Sequence, residues 1–334
     1  MRQVDYWSDI SVQLIILDGS KKACKFEIML PGNILYIHMP ESIEKRLKYA
    51  STLIKTDYAA LLSDDEFFLH SGVEACINFL EENKDFVSCK GAALGFEYRS
   101  GLVMSSNVYP DLRVENSITD QFFGDRIYSH LSPYVMSTLW AVMRKDIFVA
   151  ALRSMGAGGS YASAAVGEVQ TSVLTSYFGK CKILNVLFWL RSYENKNIWW
   201  SFGRESFSDW YLNPLNLAEV ELFFSSMESE LTAEMRALFR KQAMRAIDAY
   251  INDIRAQGRS TALHSLTQTI LRLFKAASML YVIFGAAARG CFGVAGKNPL
   301  EAAAIKLEAQ GILINRAELQ DIHALVGRFH RGLK

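Results

Sequence analysis

Short apolar runs alternate with amphipathic stretches along residues 12–190. The β-branched runs Val12–Leu17 and Ile34–His38 predict two strands. The apolar positions of Glu41–Lys55 recur at helical spacing, with Ser42 placed to cap that helix. Tyr58–Leu62 is almost wholly apolar, which is typical of a strand covered on both faces. Strands that alternate with helices in this way predict an α/β sheet with parallel connections.

The pattern after Leu62 predicts further elements of the same kind. The Gly, Ser and Asn residues of Gly91–Asn116 indicate loops and edge strands. Met155–Ser160 is Gly-rich, but it matches neither GxxxxGK[ST] nor a GxGxxG that follows a strand, so we predict a mobile loop there. The remaining predictions in this part are helices at Val73–Glu82, Asp146–Arg153 and Ala164–Phe178 and strands at Phe86–Cys89, Thr138–Met143 and Cys181–Leu190.

The composition changes near Asn213, where long helical patterns begin. These patterns cover Leu217–Ile254 and Leu263–Ala288 and contain few helix breakers. We therefore predict an α/β domain over residues 1–212 and a helical C-terminal region over residues 213–334.

Composition and charge narrow the class of protein. With 50% hydrophobic and 21% charged residues among 334, the chain is an ordinary globular protein. The formal net charge is +1, but residues 251–334 hold eleven Lys and Arg against five Asp and Glu, about +6. The remaining residues are slightly acidic, so a nucleic-acid partner is not expected. The five cysteines have neither zinc-ligand nor disulfide spacing, and no apolar run follows Arg2, so we expect a cytoplasmic protein.

Three consecutive carboxylates, Asp64, Asp65 and Glu66, end the Tyr58–Leu62 run. Like charges side by side repel one another, so the arrangement favours a hard cation such as Mg²⁺ or Mn²⁺, or a ligand's hydroxyl groups, among them. The alternative is a solvated polar turn. Asp18, Gly19 and Ser20 end the first predicted strand, and ligands of α/β sheets gather at the carboxyl ends of strands.

This order of features resembles a GT-A nucleotide-sugar glycosyltransferase. It is most similar to the inverting family 2 type and its bacterial polysaccharide-assembly relatives, over about residues 5–200. The features are a strand ending in Asp18-Gly19-Ser20, a second strand, a helix, an apolar strand ending in Ser63-Asp64-Asp65-Glu66, and a further helix and strand. The resemblance implies a GT-A, Rossmann-like mixed sheet flanked by helices. It also implies a metal-dependent transfer, with inversion, of a hexose from a nucleotide-sugar donor such as a UDP-sugar.

The resemblance implies roles for the residues of the two strand ends. Asp18 would hydrogen-bond the nucleotide base, and Gly19 and Ser20 would let the backbone approach it closely. Asp64 would meet the ribose or the metal, and Asp65 would coordinate the Mn²⁺ or Mg²⁺ that bridges the diphosphate. Glu66 is either a third ligand or an outward-pointing turn residue, and we favour the second reading.

The family places a catalytic carboxylate at the start of a late helix, and Glu168 matches that position. Glu168 would deprotonate the acceptor hydroxyl, with Asp146 and Asp125 as the other candidates. A carboxylate that only stabilises the helix amino terminus is the alternative for Glu168. Arg191, at the end of the Cys181–Leu190 strand, would reach the diphosphate, or else form a surface ion pair.

One feature departs from the family. Residues 2–8 look like the end of the family's first helix, so the strand that normally opens the domain is not found ahead of it. A truncated or remodelled copy would have a gap in the sheet beside the nucleotide site. A degenerate, non-catalytic relative that acts as a binding or scaffolding subunit is therefore the second hypothesis. A sugar-nucleotide pyrophosphorylase is the third hypothesis. The sequence lacks the Gly-rich loop after a first strand that would support this hypothesis.

The acceptor is expected to be a cell-surface glycan or a lipid-linked glycan. Ala276–Ala288 is apolar but too short to cross a bilayer. With the basic residues around it, segment 255–289 is either an interfacial membrane contact at the inner face of the membrane or a buried core helix.

Overall fold

The computed structural model describes residues 2–8, 10–25, 30–109, 112–157, 161–163, 165–194, 205–279 and 298–332. In these residues the protein is an α/β structure in which helices flank a mixed, open sheet and further helices follow towards the C-terminus. The predicted fold class is confirmed at this level. The architecture is compatible with a Rossmann-like fold.

The main sheet is organised around the long strand β5. Its strands are β3 Tyr58–Ala59, β4 Phe67–Phe68, β5 Phe86–Arg99, β6 Leu102–Asn107, β7 Val142–Arg144, β8 Lys180–Ser192 and β9 Asn298–Pro299. β8 runs parallel to β5 along one edge, and β7 and β6 pair antiparallel with its other edge. β3 pairs with β7 and β4 pairs with β8, so the chain between β3 and β4 crosses from one side of the sheet to the other. That crossing segment contains Asp64, Asp65 and Glu66, which we call the acidic turn.

Helices cover both the sheet and one another. They are α1 Arg2–Trp7, α2 Ile43–Leu53, α3 His70–Glu82, α4 Phe123–Leu131, α5 Lys145–Ala157, α6 Ala165–Phe178, α7 Phe207–Leu212, α8 Leu217–Glu228, α9 Ala233–Met279, α10 Leu300–Glu308 and α11 Arg316–His330. Side chains of α4, α6, α8 and α9 share one hydrophobic cluster, whereas α10 and α11 pack on residues of β5, β6 and β8. The division of the chain at residue 213 stays a prediction.

A second sheet of two parallel strands, β1 Leu14–Asp18 and β2 Ile34–His38, is not hydrogen-bonded to the main sheet in the described part of the chain. Leu14 of β1 nevertheless packs in the same hydrophobic cluster as Tyr58 and Leu62. On β1, Arg46 from α2 donates from Nη1 to the Leu17 carbonyl at 3.0 Å. Ser42 accepts from the Lys45 amide at the start of α2, which confirms the predicted cap.

Some predicted boundaries are wrong. Gly91–Asn116 is predicted as loops and edge strands, but β5 continues to Arg99 as a central strand paired on both sides and turns back as β6. Small residues are required in β5, since a Cβ at Gly91 would meet the Val186 carbonyl and one at Gly95 would meet the Tyr193 ring. Thr138–Trp140 is a 3₁₀ turn that precedes β7.

The outcome for the remaining predicted segments is mixed. Only Tyr58–Ala59 of the predicted Tyr58–Leu62 strand is paired. Of the predicted loop Met155–Ser160, residues up to Ala157 belong to α5 and residues 158–160 lie outside the described residues. The predicted interfacial segment lies partly in α9, and residues 280–289 are also outside. Within the described ranges, no helix combines the length and the apolar character needed to cross a membrane.

Candidate functional site

Glu66 turns into the protein, while its two neighbours in the acidic turn do not. Asp64 is exposed, Asp65 is half-buried and Glu66 is buried. Because β4 pairs with β8 directly after Glu66, Trp189 lies beside it and donates from Nε1 to Glu66 Oε2 at 3.0 Å. The reading of Glu66 as an outward turn residue is therefore wrong.

Burial changes the acidity of Glu66. Loss of solvent raises its pKa to about 8, and the carboxylates of Asp65 and Asp64 act in the same direction. The positive charge of Arg191 opposes this rise, with Nε 4.0 Å from Glu66 Oε1. Glu66 is thus a largely protonated carboxyl at neutral pH.

Arg191 is held in an aromatic setting rather than at the open surface. Its Nη1 donates to the Tyr109 hydroxyl at 2.6 Å. The guanidinium carbon lies 5.7 Å from the Trp189 ring, 5.8 Å from the Tyr109 ring and 5.9 Å from the Tyr193 ring. Such contacts favour a cation whose planar group is partly desolvated. Arg191 therefore presents a fixed positive charge beside the acidic turn.

Glu168 lies in the first turn of α6 and faces the same charges. Burial raises the pKa of its carboxyl, while Arg191, a hydrogen bond from Trp140 and the charge of Lys90 lower it. The Trp140 ring stacks on Trp189 at 5.5 Å between centroids, with 20° between the planes. We call Glu66, Glu168, Arg191, Trp140 and Trp189 the carboxylate centre. Its members come from four separate segments of the chain, because Trp189 and Arg191 both lie on β8.

The loop that follows β1, residues 18–24, holds its acidic side chain differently from the carboxylate centre, and we call it the Asp18 loop. The Asp18 carboxylate accepts hydrogen bonds from the Ser20 amide, the Cys24 amide and the Tyr36 hydroxyl, all within residues 18–36. The hydroxyl of Tyr36 contributes most to holding the pKa of Asp18 below its usual range. Gly19 lies against the Arg46 side chain, which a Cβ at this position would strike. The structure thus places the predicted base-binding residues Asp18, Gly19 and Ser20 in a self-contained loop of the smaller sheet.

The other predicted catalytic candidates lie on helix surfaces. Asp125 is exposed in the first turn of α4, and Asp146 is exposed in the first turn of α5. Of the predicted residues, Glu168, Arg191 and the acidic turn are the ones that the carboxylate centre brings together.

Sequence reasoning missed Trp189, Tyr109 and Trp140. The signal for Trp189 was present, because it precedes Arg191 by two residues in a strand and so lies on the same face. No comparable signal marked Tyr109 or Trp140, since their contacts depend on how β5, β8 and the 3₁₀ turn pack together.

Tyr109 also lines a cavity of about 360 Å³. Ala92 and Ala93 of β5 contribute small side chains to it, and the exposed carboxamides of Asn107, Asn185 and Gln310 lie around it. A volume in this range accommodates a small molecule. Tyr109 is thus both a lining residue of this cavity and a hydrogen-bond partner of Arg191.

The acidic turn supplies hard oxygen donors for a divalent cation. Among the described residues, no group of three or more His, Cys, Asp and Glu side chains is arranged to hold a metal ion. Mg²⁺ is commonly held by one or two carboxylates together with substrate phosphates and water. Asp64 and Asp65 fit that kind of site, whereas Glu66 is turned away towards Trp189.

Comparison with known proteins adds no family assignment. No protein-family model matches this chain, and no curated protein matches its sequence.

Proposed function

We propose that this protein is a glycosyltransferase that moves a sugar from a nucleotide-sugar donor to a glycan or lipid-linked glycan acceptor, with inversion. The observation that carries the proposal is the convergence of Glu168, Arg191 and the acidic turn from distant parts of the chain. A carboxylate base, a cation and hard oxygen donors are the groups that displacement of a nucleoside diphosphate requires. A cytoplasmic location, at the inner face of the membrane, is part of the proposal.

Glu168 is suited to take the proton from the acceptor hydroxyl. Burial makes its carboxylate more basic than a solvated one, and the Trp140 hydrogen bond orients it. As the acceptor oxygen attacks the anomeric carbon, its proton passes to Glu168 and the bond to the diphosphate breaks.

Arg191 is suited to the negative charge that develops on the diphosphate. Its guanidinium is fixed by Tyr109 and three aromatic rings, so little reorganisation is needed when charge builds up. Asp64 and Asp65 would hold Mg²⁺ or Mn²⁺, which would neutralise the same charge. The carboxamide-rimmed cavity beside Tyr109 suits the hydroxyls of an acceptor sugar.

Calorimetric titration of UDP, with and without Mn²⁺, tests the proposal. We expect Mn²⁺ to raise UDP affinity in the wild type and to have no effect in Asp65→Ala. Asp57→Ala is the matched control, because Asp57 is an exposed acid seven residues before Asp64. Absence of metal-dependent binding for UDP, GDP and CDP alike would reject the proposal.

A second candidate function is a non-catalytic binding or scaffolding subunit. The separation of the β1–β2 sheet from the main sheet favours it, together with the engagement of Asp18 in its own loop. A protein that binds UDP with Mn²⁺ but neither hydrolyses nor transfers from any UDP-sugar would match this candidate.

A further inference from the structure

Lys90 is a buried cation in the middle of β5. It is 5% exposed, and its Nζ donates to the carbonyls of Met136 at 2.8 Å and Ser137 at 3.3 Å. Both acceptors are uncharged, so within the described residues no hydrogen-bonded carboxylate neutralises the ammonium. A buried charge of this kind is costly, and it persists where a fixed environment stabilises it.

The segment that Lys90 holds also holds Glu168. Ser137 Oγ donates to the Glu168 carbonyl at 3.0 Å, and the Thr138 amide donates to Ser172 Oγ at 3.3 Å, one turn along α6. Trp140, at the end of the same segment, lies close enough to Glu168 for its indole to lower the pKa of that carboxyl. Lys90 is thus tied through residues 136–140 to the backbone and to the side chain of Glu168.

The charged groups that act on Lys90 include Glu168. Burial lowers the pKa of Lys90 to about 8, while negative charge on Cys181, Cys89 and Glu168 raises it. His130, on α4, is also near, but burial lowers its pKa to about 3 and it stays neutral. Glu168 is the carboxylate whose charge acts on the pKa of Lys90.

The groups that face Glu168 come from several elements. Arg191 on β8 and Lys90 on β5 supply positive charge, and Trp140 supplies the hydrogen bond. Tyr134 and Tyr250 also lie within electrostatic reach, and burial raises the pKa of both, so they remain neutral. Arg191 and Lys90 are then the two cations that act on Glu168.

We propose that Lys90 is a positioning residue for Glu168: it fixes residues 136–140 against α6 and supplies a buried positive charge that acts on the Glu168 carboxylate. This inference rests on the proposed function for the role of Glu168 as a base. The electrostatic coupling between the two side chains is a property of the free protein and can be measured without any substrate.

The first experiment follows the ¹³C resonance of the Glu168 carboxyl against pH in the free protein, assigned with Glu168→Gln. Lys90→Met removes the charge and keeps an unbranched side chain of similar bulk, and it leaves the carbonyls of Met136 and Ser137 without this donor. We expect the titration of Glu168 to move to higher pH by about 1 pH unit. An unchanged titration in folded Lys90→Met would overturn the inference.

Ser137→Ala is the matched variant, because it weakens the attachment of residues 136–140 to α6 and leaves the charge of Lys90 in place. We expect it to lower turnover without moving the Glu168 titration. A shift in Ser137→Ala as large as that in Lys90→Met would show that geometry, not charge, sets the behaviour of Glu168, and would overturn the inference.

A reciprocal experiment covers the case in which Lys90→Met does not fold. Coupling between two sites is mutual, so Glu168→Gln must lower the pKa of Lys90 by as much as the charge of Lys90 lowers that of Glu168. We expect the ¹³C titration of the Lys90 side chain to move below that of the wild type. No movement would overturn the inference.

Activity separates this inference from the proposed function. If Lys90 and Glu168 are coupled but no UDP-sugar is turned over, the inference stands and the proposed function fails. If turnover is present and its acid limb does not move in Lys90→Met, the inference fails and the proposed function stands.

Discussion

The carboxylate centre and the Asp18 loop shift the pKa values of their acidic side chains in opposite directions. In the centre, burial raises the pKa of Glu66 and Glu168, and the contacts join residues far apart in the sequence. In the loop, short-range hydrogen bonds lower the pKa of Asp18. A raised carboxyl pKa suits a group that exchanges protons near neutral pH. A lowered carboxyl pKa suits a hydrogen-bond acceptor that stays charged. Under the proposed function, proton transfer would belong to the carboxylate centre and fixed recognition to the loop.

Glu168→Gln gives the largest expected effect. The amide keeps the size of the side chain but cannot take a proton, so turnover should fall by about 10²–10⁴-fold. UDP affinity should stay within about twofold of the wild type, because binding does not need the proton transfer. Steady-state kinetics and calorimetry check the two parts. Loss of UDP binding together with turnover would assign Glu168 to the donor site and break the comparison.

Glu66 should make stability depend on pH. Native Glu66 keeps its proton to about pH 8, whereas in the unfolded chain it loses the proton near 4.5. The native state binds more protons between these values, so this stabilisation is complete below about pH 4.5 and is lost as pH rises towards 8.

Urea unfolding at pH 5 and pH 8 measures this effect. From pH 5 to pH 8, the wild type should lose roughly 2–5 kcal/mol of unfolding free energy relative to Glu66→Gln, which cannot ionise. Glu74→Gln, at an exposed position of α3, is the control and should follow the wild type. Parallel pH dependence in Glu66→Gln and the wild type would show that Glu66 titrates as an ordinary carboxyl.

Trp140→Phe should have a smaller effect on turnover. The change keeps a ring to stack on Trp189 and removes the indole N–H that donates to Glu168. Losing a hydrogen bond to a charged group should lower turnover by about 10-fold and move the acid limb of the pH profile upwards. Trp210→Phe is the control, because the Trp210 indole donates to Glu219 in the hydrophobic cluster shared by α4, α6, α8 and α9, which we call the helical cluster. Identical pH profiles for Trp140→Phe and the wild type would remove Trp140 from the account.

The sequence predicts the fold more fully than it predicts the site. The periodic runs mark β1, β2, α2, α6 and β8 within a few residues, because each is an amphipathic or apolar element in its own right. The prediction from sequence is wrong for the central strand within Gly91–Asn107. The glycines there, which normally indicate turns, are required by the close packing of β5 on β8.

The candidate site depends on contacts that local patterns do not encode. Glu168 and Arg191 could be selected because each follows a recognisable element boundary. Glu66 could not be oriented from sequence, since its burial depends on β4 pairing with β8 more than 120 residues later. Lys90 has no local signal either, because its two acceptors belong to residues 136 and 137.

Asp18→Asn gives the smallest expected effect on stability. Asp18 is half-exposed and its bonds are local, so we expect a loss of less than about 1 kcal/mol in the free energy of unfolding. UDP affinity should fall by about 10-fold if the loop holds the base. Asp85→Asn, at an exposed ion pair with Lys180, is the control. Unchanged UDP affinity in Asp18→Asn would separate the loop from the ligand site.

The central claim is that the carboxylate centre binds the donor nucleotide. Its most direct test is a titration with UDP and Mg²⁺ that follows the indole N–H resonances of Trp140 and Trp189, assigned by substitution with Phe. Both resonances should shift with one dissociation constant, while that of Trp210 in the helical cluster stays in place. Saturable binding of UDP that leaves both resonances unmoved, or no binding by the folded protein, would contradict the account.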